Sequence, residues 1–348
     1  MSALSLTLSR LPHLDQLKLL ASNFIVLHHL AAYGPISDVL AKAHPTLISW
    51  LYEYARSAVQ VFIVIAGYLA GKSLSRPGQH FSGAPFELIR QRYRRLILPY
   101  LAALTLAILA ALLARQWMTD ISIPAAPSWP QALAHVFLLQ NLLGYDSLSA
   151  GVWYIAIDFQ LYVMLVFLLW LGSYASKWRA GRWLVIALLM ASLFYFNRDA
   201  SWDNWAVYFF GAYALGAVAA WSADSRRPNA HLLILATVGL AALALDFRER
   251  IALALVIALV LGLLQRRKFF IPELPQGQER GAPVQGNISY SLFLVHFPIC
   301  LLGNTLFSRL GVSDSPAAAM AAFLACWGVS VAAAFLFYRW VELPLSRR

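Results

Sequence analysis

The chain has 348 residues, of which 60% are hydrophobic and 12% are charged, and its formal net charge is +11. A soluble domain is about 45–50% apolar, so this composition and a mean hydropathy of +0.64 exclude a secreted enzyme, a disordered scaffold and a nucleic-acid-binding domain. The composition predicts an integral membrane protein.

Apolar runs bounded by charged residues, glycine or proline predict the membrane-spanning helices. A helix needs about 20 residues to cross about 30 Å of hydrocarbon. The expected spans lie near residues 14–34, 54–74, 96–114, 152–172, 182–198, 204–221, 230–246, 250–265, 287–308 and 317–339. We therefore expect an all-α, polytopic membrane helix bundle of about ten transmembrane helices, forming a single domain over residues 1–348.

Lysine and arginine are distributed unevenly between the two sides of these spans. If the N-terminus is cytoplasmic, nineteen of them fall on the inner side and six on the outer side. Membrane proteins accumulate these residues in cytoplasmic loops. We therefore expect both termini in the cytoplasm and a multi-pass location in the cytoplasmic (inner) membrane, and the positive charge needs no nucleic acid as partner.

The first predicted span carries a polar face. At about 100° per residue, four polar residues fall within about 60° of one another: Asp15, Lys18, Ser22 and His29. His28 lies about 100° from His29 and off this face. An ionisable group at the centre of a bilayer costs about 2.5–3.5 kcal/mol on insertion scales, so each is a functional candidate, although neighbouring helices can also satisfy such groups structurally.

Depth in the bilayer relates His29 to Asp158 in the fourth predicted span. Counting from the inner edge at Leu14 places His29 about 8 Å below the outer edge, and Asp158 is about 9 Å below the same edge. We therefore expect the two side chains to meet. A carboxylate beside an imidazole orients the ring and raises its basicity, which suits general-base activation of a hydroxyl.

A run of four arginines precedes the third predicted span on the cytoplasmic side: Arg90, Arg92, Arg94 and Arg95. Such a run binds phosphate groups through bidentate charge-assisted hydrogen bonds, or it serves only as a topology anchor. His296 in the ninth predicted span is a second histidine candidate. Arg56 lies at the outer end of the second predicted span, where a long side chain can extend its charge to the interface without any functional role. We expect no metal site, because no cysteine or carboxylate cluster joins the histidines at ligand spacing.

With these residues identified, the chain resembles the acyltransferase-3 family of integral membrane O-acyltransferases over nearly its whole length. LDQLKLLASNFIVLHH, from Leu14, is similar to the family's opening motif, with Lys18 in the usual Arg place and His29 in the His place. Asp158 takes a usual Glu place. Further segments resemble family motifs in the same order: VQVFIVIAGYLAG from Val59, RQRYRRLILPY from Arg90, VWYIAIDFQLY from Val152, YSLFLVHFP from Tyr290 and VELP from Val341.

The resemblance implies transfer of an acyl group, expected to be acetyl, from cytoplasmic acyl-CoA to a hydroxyl of an extracytoplasmic glycan, as in the shorter stand-alone members that modify exopolysaccharide or lipopolysaccharide. His29 and Asp158 would be catalytic, and Lys18 and the four arginines would bind the donor. Contact with the acceptor, or a structural role, is expected for Arg56, Trp153, Tyr162 and His296.

The expected partners are acyl-CoA as co-substrate, a glycan or glycolipid acceptor and the lipid bilayer, with no bound cofactor; assembly with further copies of the chain is compatible with the sequence. A transporter or flippase of an acyl or glycan intermediate is the alternative function, because polar faces in a ten-span bundle also suit transport. A scaffold would not explain ionisable residues in hydrocarbon.

Overall fold

The computed structural model describes residues 12–75, 81, 83–175, 180–266, 288–312 and 314–346, and these form helices and no strand. Several of the predicted inner-side cations lie outside these residues, namely Arg10, Arg76, Lys177, Arg179, Arg267, Lys268, Arg280, Arg347 and Arg348. In chain order the helices are α1 (Pro12–Ala32), α2 (Pro35–Ala43), α3 (Pro45–Glu53), α4 (Val59–Leu74), α5 (Pro85–Trp117), α6 (Trp129–Val136), α7 (Val152–Ser173), α8 (Ala180–Phe194), α9 (Ala206–Ala223), α10 (Pro228–Leu245), α11 (Glu249–Arg266), α12 (Ser289–Arg309), α13 (Pro316–Phe337) and α14 (Leu343–Ser346).

The ten predicted spans coincide with ten of these helices: α1, α4, α5 and α7 to α13. By length and apolar composition alone, eight helices in the described part of the chain are able to cross a membrane, and α1 with α2 adds a ninth if this bent pair is one span. Helix α11 is apolar between charged ends, with Glu249 and Arg250 at one end and Arg266 at the other. The prediction of an all-α polytopic bundle is confirmed.

Helices α4 and α9 form the centre of the bundle. A side chain at Gly67 of α4 would overlap the backbone of Tyr213, and one at Gly216 of α9 would overlap the backbone of Val64. Helices in lipid gain little from hydrophobic burial against one another, so close backbone approach through small residues stabilises their packing. The glycines thereby bring Tyr213 into the interior, where its side chain is fully buried.

A sharp bend follows α1, where α2 turns away by 88°. Gly34 occupies this bend with φ of +84°, a conformation that favours glycine. Asn304 of α12 fixes the bend by accepting a hydrogen bond from the backbone N–H of Ile36 at 2.9 Å and donating to the carbonyl of Tyr33 at 3.2 Å. Helix α12 therefore determines where α1 ends, at Ala32, three residues beyond His29.

The segment between α5 and α7 is ordered by a buried histidine. His135 Nδ1 donates to the carbonyl of Gln131 at 2.8 Å, and His135 Nε2 accepts from the backbone N–H of Leu148 at 3.2 Å. Burial lowers the pKa of His135, which favours the neutral ring that this pair of bonds requires. This segment, rich in Pro, thus has a defined path over the end of the bundle.

We predict that Gly34→Ala destabilises the protein more than Gly144→Ala. Both glycines have positive φ, but a Cβ at Gly34 would lie 2.5 Å from Cγ of Asn304, whereas nothing lies within 4 Å at Gly144. The control variant Gly144→Ala measures the backbone strain alone, about 1–2 kcal/mol. In Gly34→Ala the clash with Asn304 adds about 1–3 kcal/mol to that loss. Thermal unfolding of the detergent-solubilised variants measures the difference, and equal losses would contradict it.

Candidate active site

His29 of α1 and His296 of α12 meet in the interior of the bundle. Their Nδ1 and Nε2 atoms are 2.7 Å apart, and both side chains are buried. His296 Nδ1 lies 3.1 Å from the carbonyl of Leu292. A carbonyl only accepts, so His296 carries its hydrogen on Nδ1 and, as a neutral ring, accepts at Nε2. His29 must therefore donate from Nδ1, which leaves its Nε2 as an unprotonated base.

His28 has a different environment, as the helical phase of α1 predicts. Its Nδ1 faces the backbone carbonyl of Leu51 at 3.4 Å, and its ring packs beside Tyr52 at 5.7 Å between centroids. The ring of His29 instead stacks on Tyr33. Only one of the two adjacent histidines thus points into the interior of the bundle toward α12.

Asp158 does not meet His29, contrary to the expectation from depth. Its carboxylate accepts a hydrogen bond from Arg92 of α5, with Nη2 and Oδ2 2.6 Å apart, and its side chain is 8% exposed. The depth count is therefore wrong for Asp158, because its partner Arg92 belongs to the run that precedes the third predicted span, at the end of the bundle away from His29. At the level of His29, α12 supplies the partner through His296, while α5 supplies the partner of Asp158.

The Arg92–Asp158 ion pair has tyrosines around it. The guanidinium lies over the ring of Tyr162 at 5.4 Å, and the hydroxyl of Tyr213 is close enough to interact electrostatically with both charged groups. Three buried atoms here have no hydrogen-bond partner among the described residues: Arg92 Nε, Asp158 Oδ1 and Tyr213 Oη. Buried polar atoms of this kind need partners, so the cluster suits a ligand that offers both a donor and an acceptor.

The remaining predicted donor-binding residues lie near the N-terminal ends of α5 and α1. Arg90 pairs with Glu87 on the surface of α5 at 2.7 Å, and Arg94 and Arg95 are exposed. Lys18 pairs with Asp15 at 3.6 Å and is close enough to Arg92 and Arg95 for electrostatic repulsion. The arginine run is therefore divided: one member holds a buried carboxylate, one pairs with Glu87, and the two exposed members make no ion pair in the described part of the chain.

Aromatic rings connect the ion pair with the histidine pair. Tyr154 lies one turn from Asp158 on α7, and its ring contacts Phe293 at 5.3 Å between centroids. Phe293 in turn lies 6.1 Å from the ring of His296. Trp153, the neighbouring candidate, packs on Phe209 of α9 instead. The two polar centres are thus about one to two helical turns apart along the bundle.

The structure adds residues that the sequence reasoning did not select. Ser291 of α12 donates a hydrogen bond to Glu342 at 2.5 Å, and Glu342 ends a π-helical turn, Tyr338–Glu342. Such turns occur frequently at functional sites. The VELP segment contains Glu342, so its resemblance to a family motif could have indicated this residue as a candidate. Tyr213 lies in an apolar run, and nothing in the sequence indicates it. No three His, Cys, Asp or Glu side chains of the described residues gather as metal ligands.

Comparison with known families gives one match. A family model described as an acyltransferase domain, that of the acyltransferase-3 family, covers residues 11–339. The chain belongs to the acyltransferase-3 family. It is therefore a membrane acyltransferase, in agreement with its apolar helices. Searches of curated proteins and of solved structures found no match for this chain.

We predict that Asp158→Asn and Arg92→Gln each lower the free energy of unfolding by about 3 kcal/mol, because either change leaves a buried charge unpaired. The double variant should lose clearly less than the sum of the two. Unfolding by SDS in mixed micelles measures this coupling. The control is the exposed Glu87–Arg90 pair of the same helix, where we expect no coupling; additive losses at Arg92 and Asp158 would contradict the buried ion pair.

Proposed function

We propose that this acyltransferase-3 protein is an O-acyltransferase in which His29 is the general base. The observation that supports this most directly is the hydrogen bond between His29 Nδ1 and His296 Nε2. In this proposal the free Nε2 of His29 takes the proton of the acceptor, and His296 is a positioning residue that fixes the tautomer and orientation of the base.

In this mechanism His29 Nε2 takes the proton of the acceptor hydroxyl, and the hydroxyl oxygen attacks the thioester carbonyl of the donor. The tetrahedral intermediate collapses with cleavage of the C–S bond, and the proton on His29 passes to the departing thiolate. The ester and the free thiol are the products. A base positioned in this way contributes about 10²–10⁴-fold to the rate.

The donor in this proposal is an acyl-CoA that enters from the cytoplasm, expected to be acetyl-CoA. Arg94, Arg95 and Lys18 lie at the inner end and suit its phosphates. The arm of the donor contains amides, each with a donor and an acceptor, which match the unpartnered atoms of Arg92 and Asp158. Asp158 then acts on the donor side through Arg92 rather than by orienting His29.

The acceptor in this proposal is a hydroxyl of an extracytoplasmic glycan, such as an exopolysaccharide or lipopolysaccharide. We place both termini in the cytoplasm and the chain in the inner membrane, as the distribution of Lys and Arg favours. His29 then lies nearer the outer side than the arginine run does. The long arm of the donor spans this separation.

We predict that His29→Ala abolishes acyl transfer while His28→Ala retains most of it, because His28 faces the carbonyl of Leu51. His296→Ala should lower turnover at least about tenfold, and His296→Gln should recover part of that loss by accepting from His29 Nδ1. Transfer of labelled acyl groups from acyl-CoA to glycan in membranes with matched protein levels measures this. An essential His28 with a dispensable His29 would contradict the proposal. So would a protein that transports acylated glycan but transfers no labelled acyl group to it, because that protein would be a transporter.

We predict that Arg94→Gln combined with Arg95→Gln raises the apparent KM for acyl-CoA about tenfold or more with little change in kcat, since bonds between guanidinium and phosphate are lost. Arg90→Gln is the matched control, because Arg90 is occupied by Glu87. Steady-state kinetics with varied acyl-CoA measures both. An unchanged KM in the correctly inserted double variant would refute phosphate binding by these arginines.

A further inference from the structure

A cavity of about 560 Å³ lies at the end of the bundle where α4 and α11 begin. Its lining combines aromatic rings, guanidiniums and carboxylates, contributed chiefly by Tyr52, Tyr54, Arg56, Arg250, Glu53 and Glu249. Tyr52 is 50% exposed and Tyr54 is 46% exposed. Cavities of about 300–1,000 Å³ are typical of small-molecule sites, so the volume suits one or two sugar residues.

The wall of this cavity is built around Arg248, which is fully engaged. It donates to the side chain of Asn197 at 2.8 Å and to the carbonyls of Leu193 and Ala242, and it pairs with Asp246 at 3.4 Å. These bonds fix the start of α11 against the end of α8. The positions of the neighbouring Glu249 and Arg250 are thereby defined.

Two other arginines of the lining are not engaged in this way. Arg56 donates only from Nε, to the backbone carbonyl of Glu53 at 3.2 Å, and within the described part of the chain neither Arg56 nor Arg250 makes an ion pair. A guanidinium presents a planar fork that matches a carboxylate. The cavity therefore offers two cationic groups to an anionic ligand.

The carboxylates of the lining restrict which anion fits. Glu53 and Glu249 accept hydrogen bonds from hydroxyl groups but repel a dianion. The faces of Tyr52 and Tyr54 suit the apolar face of a sugar ring. A sugar with several hydroxyls and one carboxylate offers hydrogen-bond donors to the glutamates and a bidentate partner to the guanidiniums, with which the glutamates form no ion pair among the described residues. A neutral sugar offers only hydroxyls, and a phosphorylated sugar brings more negative charge toward the glutamates.

The cavity is also next to the histidines. The ring of Tyr52 lies 5.7 Å from that of His28, and the ring of His28 lies 5.1 Å from that of His29, between centroids. A glycan held in the cavity thus contacts Tyr52, whose ring lies beside His28, the neighbour of His29 on α1. Both Tyr52 and Arg56 belong to the chain between α1 and α4, close to the outer surface in the orientation proposed above.

We propose that this cavity binds a hexuronic acid residue of the acceptor glycan, with Arg56 and Arg250 holding its carboxylate. This inference rests on the proposed function, because it specifies the acceptor as an acidic glycan. It assigns Arg56 and Arg250 to acceptor recognition and gives neither a part in the chemical step.

The test uses the full chain in nanodiscs without any acyl donor. Binding of a hexuronic acid oligosaccharide and of its carboxyl-reduced, neutral counterpart is measured by calorimetry. We expect the acidic form to bind at least about tenfold more tightly, and Arg56→Gln with Arg250→Gln to remove that preference while leaving weak binding of the neutral form. The control is Arg309→Gln, another outer arginine, which lies over Trp117 and should leave the preference unchanged.

Equal binding of the two oligosaccharides by the unmodified protein would overturn the inference, as would a preference that survives in the double variant. Tighter binding of a phosphorylated oligosaccharide than of the uronic acid form would overturn the carboxylate assignment. The His29→Ala variant should bind the acidic oligosaccharide normally. If the protein shows no preference for the acidic oligosaccharide but still transfers acyl groups in a reaction that depends on His29, only the acceptor assignment is wrong. The proposed function then stands.

Discussion

Hydrocarbon offers no hydrogen-bond partner, so each ionisable side chain inside the bundle has to find one in another helix. Arg92 and Asp158 satisfy this requirement by joining α5 to α7, and His29 and His296 satisfy it by joining α1 to α12. The same contacts determine how these helices are oriented about their own axes. A residue that faced lipid at either position would leave its partner unpaired, which is strongly destabilising.

The two pairs differ in what they leave available for chemistry. The histidine pair uses one nitrogen of His29 and leaves the other with a free lone pair, while the ion pair leaves one carboxylate oxygen and one guanidinium nitrogen without partners. Aromatic rings of Tyr154 and Phe293 separate the two centres. In the mechanism proposed above, the histidine pair would serve one substrate and the ion pair the other, each arriving from its own face of the membrane.

The sequence predicted the local structure because hydropathy is a local property. All ten apolar runs became helices, and the 100° advance per residue separated His29 from His28 without knowledge of any neighbour. The order of the short motifs indicated the family, and the match over residues 11–339 confirmed it. Charges flanking the spans gave an orientation for the chain, which stays a prediction.

Which helices are neighbours was decided only by the tertiary structure. Counting residues along a span misjudged the depth of Asp158, and direction across the bundle depends on how the helices pack, so Asp158 was expected at His29 and is instead paired with Arg92. The partner of His29 is 267 residues away in the chain. The cavity beside Tyr52 likewise combines four separate segments, near Tyr52, Asn197, Tyr208 and Arg250, and no periodicity within one segment carries information about the others.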